Sequence, residues 1–256
     1  MTSTKSTVLI TGASGAIGGA LAKAYAAPGR YIILQGRDRG RLDKLGEDCQ
    51  ALGAQVACVV LDLTDIAQLQ QWLQALTGQN LPDLVIANAG ININNGQQRQ
   101  GESWHDINTL IDLNIKSTLA LVNGLVPAMR QRGSGQIALI SSLAAYYGLP
   151  VTPSYCASKA AIKAYGEAMR GWLAQDGIKV NVVMPGYVES DMSANMPGPK
   201  PFVWTAERAA STIVKGLQQN RGRISFPFPL NAGTWLLSAL PASWSQQLLA
   251  WFNYHG

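Results

Sequence analysis

The stretch TVLITGASGAIGGALAKAYA, residues 7–26, decides the fold. Its apolar run Val8-Leu9-Ile10 has the length of a buried strand. Four glycines follow within eight residues, and a helical pattern runs from about residue 16 to Ala26. Glycines at such a junction let the chain turn sharply and let its backbone approach a pyrophosphate, which then meets the positive end of the helix. A glycine-rich loop alone also fits a plain tight turn. Its place here, directly after a first strand and opening a helix, favours a dinucleotide site.

The same alternation continues outward. Short apolar runs read as strands at 31–35, 55–61, 83–89, 135–141, 178–184 and 223–226. Amphipathic segments read as helices at 41–52, 65–76, 104–131, 155–174 and 205–219. Strands that alternate with helices argue for a parallel sheet covered on both faces. Continuous rather than alternating apolar runs fit strands buried on both sides. The expected fold is therefore one doubly wound α/β domain over residues 1–226, with about seven mostly parallel strands. Residues 227–256 form an apolar, Trp-rich extension.

Composition excludes several classes. The 256 residues are 47% hydrophobic, enough for a sizeable core. Only 14% are charged, against a usual share of about a quarter. The net charge of +5 is spread along the chain without a basic block, so no nucleic-acid partner is expected. Cys49, Cys58 and Cys156 show no paired spacing, which fits reduced thiols and a cytoplasmic setting. The two histidines, His105 and His255, are too far apart for a metal cluster, so no metal is expected. No signal peptide and no membrane-length apolar run is read.

The end of the second strand bears on cofactor choice. An NAD site places an acid there to bind the adenosine ribose hydroxyls. Here the sequence is Leu34-Gln-Gly-Arg-Asp-Arg39, with Gly36 at the acidic position and Arg37 after it. A guanidinium can bind a 2′-phosphate through two hydrogen bonds. NADP(H) is favoured; a strand end two residues later would bring Asp38 into play and restore NAD.

Several local signals then fall in one order. They are TGASGAIG (11–18), Asp62 in LDLT, Asn88-Ala89-Gly90, Asn114 in LNIKST, Ser142 in ISSLAA, Tyr155 and Lys159 in YCASK, and PGYVESDM (185–192). Each is weak alone. As an ordered set over roughly residues 5–225 they resemble the classical short-chain dehydrogenase/reductase family, whose domain is of the Rossmann type. The resemblance implies that Gly12, Ser14, Gly15, Ile17 and Gly18 shape the phosphate loop. Asp62 and Leu63 would lie near the adenine, and Asn88, Ala89 and Gly90 beside the adenine-side ribose. Pro185, Gly186, Val188 and Ser190 would flank the nicotinamide. Ser142 would hold the substrate oxygen, Tyr155 would donate the proton, and Lys159 would be its partner. Asn114 would bend a helix and retain a water. Two positions depart from the family pattern: Ala16 replaces the middle loop glycine, and Ser190 stands for the usual threonine. Asp62 also reads as a helix cap, because Asp62-Leu-Thr-Asp65 carries good capping residues.

Elementary chemistry agrees with the implied roles. Reducing a carbonyl leaves an alkoxide that needs a proton. A free tyrosine, with a pKa of about 10, is a slow partner near neutrality. A lysine one helical turn away favours the phenolate and is expected to lower that value. Ser142 can donate to the developing negative oxygen. Cys156 adjoins the tyrosine and reads either as a redox-sensitive thiol or, preferably, as a small packing residue.

Loops over the carboxyl ends of the strands set substrate choice. These are residues 91–103, 143–154 and 189–206. They hold no Arg or Lys cluster, so a neutral or partly apolar carbonyl compound, or its alcohol, is expected. The third loop carries Met192, Met196, Phe202 and Trp204 and reads as a lid or as a permanently packed loop. Beyond residue 226, Trp244, Leu248, Trp251 and Phe252 make a helical apolar stripe. That tail has three candidate places: against its own domain, at a subunit interface, or on a membrane surface. The lack of basic residues after Arg223 weighs against the membrane. The family resemblance implies a homodimer or homotetramer. The expected activity is NADPH-dependent reduction of a carbonyl to a secondary alcohol, in a reversible reaction. An NAD-dependent alcohol dehydrogenase and a catalytically inactive nucleotide-binding sensor or scaffold are the alternatives. The joint presence of Asn114, Ser142, Tyr155 and Lys159 weighs against the inactive one.

Overall fold

A computed structural model describes residues 6–94 and 101–252. Residues 95–100 of the first variable loop, and His255 in the tail, lie outside the described residues. Seven strands form one sheet: β1 (Ser6–Ile10), β2 (Arg30–Gly36), β3 (Gln55–Val60), β4 (Leu84–Ala87), β5 (Gly135–Ile140), β6 (Ile178–Pro185) and β7 (Arg223–Phe226). Their order is β3-β2-β1-β4-β5-β6-β7, with every pairing parallel.

Both faces of this sheet are buried, which is why its strands read as continuous apolar runs. Side chains alternate across the pleat. Val8 and Ile10 enter one core and Leu9 the other; Ile32 and Leu34 alternate with Ile33 in the same way. Helices α1 (Ala16–Tyr25) and α2 (Arg39–Ala51) close the first core. Helix α3 (Ile66–Gln79) helps close the second through Leu69 and Leu73.

The segment read as one helix over 104–131 is divided. Helix α4 (Trp104–Ile111) leads into a π-helical turn at Asp112–Ser117, and α5 (Thr118–Arg132) follows. The wider turn falls at Asn114, and such turns gather at functional sites. Helix α6 (Pro153–Leu173) starts two residues before its expected beginning, with Pro153 in its first turn, where a missing N–H costs nothing. Glu102 accepts from the Ser154 backbone N–H and hydroxyl at that end of α6. A carboxylate there also suits the helix dipole. A short helix α7 (Asp191–Ala194) and α8 (Ala206–Gln218) precede β7.

After β7 the chain forms two more helices, α9 (Leu230–Ala239) and α10 (Ala242–Trp251). Leu230 packs with Leu143, Val182 and Met184. Ser245 is buried and its hydroxyl donates to the Leu237 carbonyl at 2.8 Å, fixing how α10 rolls against α9. Tyr147 donates from its hydroxyl to the Ala242 carbonyl at 3.3 Å, tying the tail to the segment after β5. The face of α10 that packs inward is therefore Ser245 and Leu249. Trp244, Leu248 and Trp251, the stripe that the sequence marks, stay exposed. No described helix is long and apolar enough to cross a membrane.

Candidate active site

β1 pairs with β2 on one side and β4 on the other. The chain reverses its direction of travel across the sheet there, and a crevice opens at the carboxyl ends of those strands. Gly12 makes the turn out of β1 at φ +60°, and a Cβ on it would stand 2.8 Å from Ala89 Cα. Gly18 lies behind the loop, where a Cβ would stand 2.9 Å from Ala13 Cα, so it sets how α1 seats on the turn. Thr11 and Gln35 brace the loop from below. The Thr11 hydroxyl accepts from the backbone N–H groups of Asn88 and Ala89. Gln35 accepts from Gly12 N–H and donates to the Leu61 carbonyl. Neither residue was singled out in the sequence. A buried glutamine at the end of an apolar strand was the available signal.

A cavity of about 980 Å³ fills the crevice. Ser14, Gly15 and Ile17 line it, as do Arg37, Leu63, Asn88, Ala89 and Gly90. So do Ser142, Tyr155, Lys159, Pro185, Gly186, Val188 and Ser190. Gly18 and Asp62 belong to its supporting frame instead. The Asp62 carboxylate accepts from the backbone N–H and hydroxyl of Thr64. These bonds hold it below the usual carboxylate range, and the Arg37 charge adds to the effect. Asp65, not Asp62, caps α3 by accepting from Gln68 N–H. The Asn88 amide donates to the carbonyls of Thr11 and Gly12, so it also staples the loop to β4.

One end of the cavity fits the pyrophosphate of a nicotinamide dinucleotide. Helix α1 begins at Gly15 with no side chain capping its first N–H groups and no acid in its first turn. Those donors face the cavity and suit a phosphate. Ala16 stands at this entrance as the first residue of α1. β2 ends at Gly36, where a Cβ would come within 3.1 Å of Ser14 Oγ and 3.2 Å of Leu42 Cδ2, so an acid there would have to push these side chains aside by a few tenths of an ångström. Asp38 also lines the cavity, where it caps α2 by accepting from Arg41 N–H at 3.0 Å and pairs with the Arg41 guanidinium at 3.4 Å. Arg37 is exposed on the cavity wall.

At the other end, α6 delivers Tyr155 and Lys159 beside the end of β5. Lys159 is 5% exposed and donates to the Ile140 carbonyl at 2.9 Å. Its Nζ lies 5.6 Å from the centroid of the Tyr155 ring. The Ser142 hydroxyl sits close enough to the Tyr155 phenol to pull its pKa down, accepts from Ala144 N–H at 3.1 Å and reaches the Pro185 carbonyl at 3.5 Å. Asn114 is buried within the π-turn. Its side chain accepts from Ile91 N–H at 2.9 Å and donates to the Ile91 carbonyl at 2.9 Å and to Ser158 Oγ at 3.1 Å. Gly90 seals the contact: a Cβ on it would lie 3.0 Å from Asn114 Oδ1 and 3.4 Å from Lys159 Nζ.

The electrostatics correct one expectation. Burial pushes the Tyr155 phenol up to about 12, against the opposing pull of the nearby Ser142 hydroxyl. Burial also pulls Lys159 down from 10.5 to about 8. Loss of water dominates at this buried phenol, so it lies above its ordinary value rather than below it. Cys156 is buried, accepts from Leu149 N–H at 3.2 Å and has its thiol pushed up by burial. That makes it a packing residue rather than a reactive thiolate.

The substrate loops meet the tail over this end. Met192, Met196 and Phe202 line the cavity. Trp204 is clamped below them, stacked on Phe226 with ring centroids 5.1 Å apart and covered by Arg208. Leu237, Leu240, Leu248, Leu249 and Phe252 complete the wall from α9 and α10.

Comparison with known proteins follows the same lines. Residues 6–200 match the family model described as short chain dehydrogenase. An uncharacterised oxidoreductase of Myxococcus xanthus is 32% identical over 236 residues, 92% of each chain. An uncharacterised oxidoreductase of Mycobacterium tuberculosis is 32% identical over 242 residues, covering 91% of this chain and 94% of that one. A solved short-chain dehydrogenase from Sphingobium yanoikuyae, in complex with NADPH, superposes with a TM-score of 0.81 at 25% identity. That match covers 96% of this chain and 95% of the other.

Proposed function

This chain belongs to the short-chain dehydrogenase family, and from that premise we propose that it is an NADPH-dependent reductase of ketones, with Tyr155 as the proton donor. The observation that carries the reading is the meeting of Tyr155, Ser142 and Lys159 at one end of a cavity whose other end holds Arg37 and the uncapped start of α1. When bound, the nicotinamide would supply the hydride. The residues of the chain do the rest.

Arg37 would bind the extra phosphate of NADPH, with no carboxylate at position 36 to repel it and the Asp38 charge offset by Arg41. The first turn of α1 holds the pyrophosphate. Ser142 and Tyr155 point their hydroxyls at the substrate carbonyl oxygen. The phenol, at about 12, carries its proton throughout the neutral range. An alkoxide is a stronger base than a phenolate, so the transfer from Tyr155 runs downhill without the phenol being tuned lower. Lys159 is charged below about pH 8 and steadies the phenolate left behind. Both Asn114 amide hydrogens are engaged, so a water that relays the returning proton would find no donor on that side chain. Oxidation of an alcohol asks Tyr155 to start as the base, which its raised value disfavours.

A panel of neutral ketones tested with NADPH and with NADH, following loss of reduced-nicotinamide absorbance, decides the matter. Turnover with a clear NADPH preference supports the reading. Turnover that favours NADH overturns the cofactor assignment, and no turnover of any ketone or of its alcohol overturns the reductase itself.

A further inference from the structure

The tail gives α9 and α10 an unusual combination of features. No Asp, Glu, Lys or Arg occurs after Arg223. Leu237 and Leu249 close the cavity from inside. Leu236, Leu248 and Phe252 line the same cavity and are also 50%, 36% and 56% exposed. The apolar lining therefore does not stop at the mouth but runs out over the rim. Ser245 locks α10 in the roll that turns this stripe toward the opening instead of into the protein core.

A small polar ketone would leave most of that wall in water, where exposed apolar area costs about 25 cal/mol per Å². A charged substrate would meet no counter-charge on it. We propose that the α9–α10 hairpin is the specificity wall of a channel for ketones carried on a long, uncharged apolar body. The carbonyl lies at Tyr155, and the body runs between Leu237 and Leu249 to the rim at Leu248 and Phe252. This rests on the reductase reading above and narrows its substrate class.

A homologous series tests it: 2-butanone, 2-hexanone, 2-octanone and 2-decanone with saturating NADPH. Burial of one methylene corresponds to a three- to fourfold gain, so kcat/KM should climb by roughly that factor per added carbon. Leu248→Glu should cut the ratio of 2-decanone to 2-butanone kcat/KM at least tenfold. Leu248→Ala, which asks less of the fold, should cut it by a smaller factor in the same direction. Calorimetry on the protein with NADPH, which cannot react with an alcohol, comparing 2-decanol with 2-butanol, reads the same preference without turnover. Ketone reduction with no dependence on chain length overturns the channel and leaves the reductase standing. Length-dependent alcohol binding without any turnover overturns the reductase and sustains the channel.

Discussion

Lys159→Met separates the cost of the site from its use. Lys159 is almost wholly buried, with an ammonium that burial holds at about 8. The gap between its ordinary 10.5 and about 8 corresponds to about 3 kcal/mol of strain on the folded protein at pH 7. Methionine has a similar unbranched body and no charge. It leaves the Ile140 carbonyl without its donor, which gives back about 1 kcal/mol. The variant should thus be more stable than the parent by about 2 kcal/mol at pH 7 while losing turnover. The sign with pH follows from proton counting. Between about 8 and 10.5 the unfolded chain holds the lysine proton and the folded chain has released it, so parental stability rises with pH across that window. The variant has no such rise, and its advantage should shrink by about 2 kcal/mol between pH 7 and 9.5. Urea unfolding of the dinucleotide-free protein at both pH values measures this. A variant less stable than the parent at pH 7, or an advantage equal at both pH values, would refute the argument.

Arg37→Asp should raise the KM for NADPH by about tenfold or more, the usual scale for losing a charge-assisted phosphate contact; equal changes for NADPH and NADH would remove Arg37 from the phosphate site. Asn114→Ala deletes three hydrogen bonds and strands the backbone groups of Ile91. It should cost about 2 kcal/mol and lower Tm by several degrees in a thermal melt, and an unchanged Tm would show that the π-turn does not depend on it. The kcat/KM for NADPH should fall above about pH 8, where Lys159 of the free protein loses its charge, and a profile flat to pH 10 would contradict a role for that charge.

Much of this was legible in the sequence because it is local. The apolar run before Gly12 and the helix after it specify a strand, a turn and a helix within twenty residues, and repetition of that unit leaves few topologies. β7 lies where the residues Arg223–Phe226 suggest. The convergence of Ser142, Tyr155 and Lys159 follows from one helix start packing on one strand end. What stayed hidden depends on neighbours distant in the chain. Asp62 reads first as an adenine contact and second as a cap, and the position of Thr64 shows where its carboxylate points. The family resemblance implied a bend at Asn114, but that it is a π-turn held by Asn114 bonds to Ile91 and Ser158 shows only once those distant partners are placed. The phenol's raised pKa reflects enclosure, which a spacing of four cannot express. In the tail, the apolar stripe at 244, 248, 251 and 252 left three places open; a serine hydrogen bond to Leu237 sets the roll of α10, which leaves Trp244 and Trp251 exposed and brings Leu248 and Phe252 to the cavity.

The central claim is that the Tyr155 hydroxyl delivers the proton to the substrate oxygen. Tyr155→Phe removes that oxygen and leaves the ring. The account predicts a fall in kcat for ketone reduction of about 10²- to 10⁴-fold, with NADPH affinity retained in a fluorescence titration. Ketone reduction at the parental rate in the phenylalanine variant would contradict it.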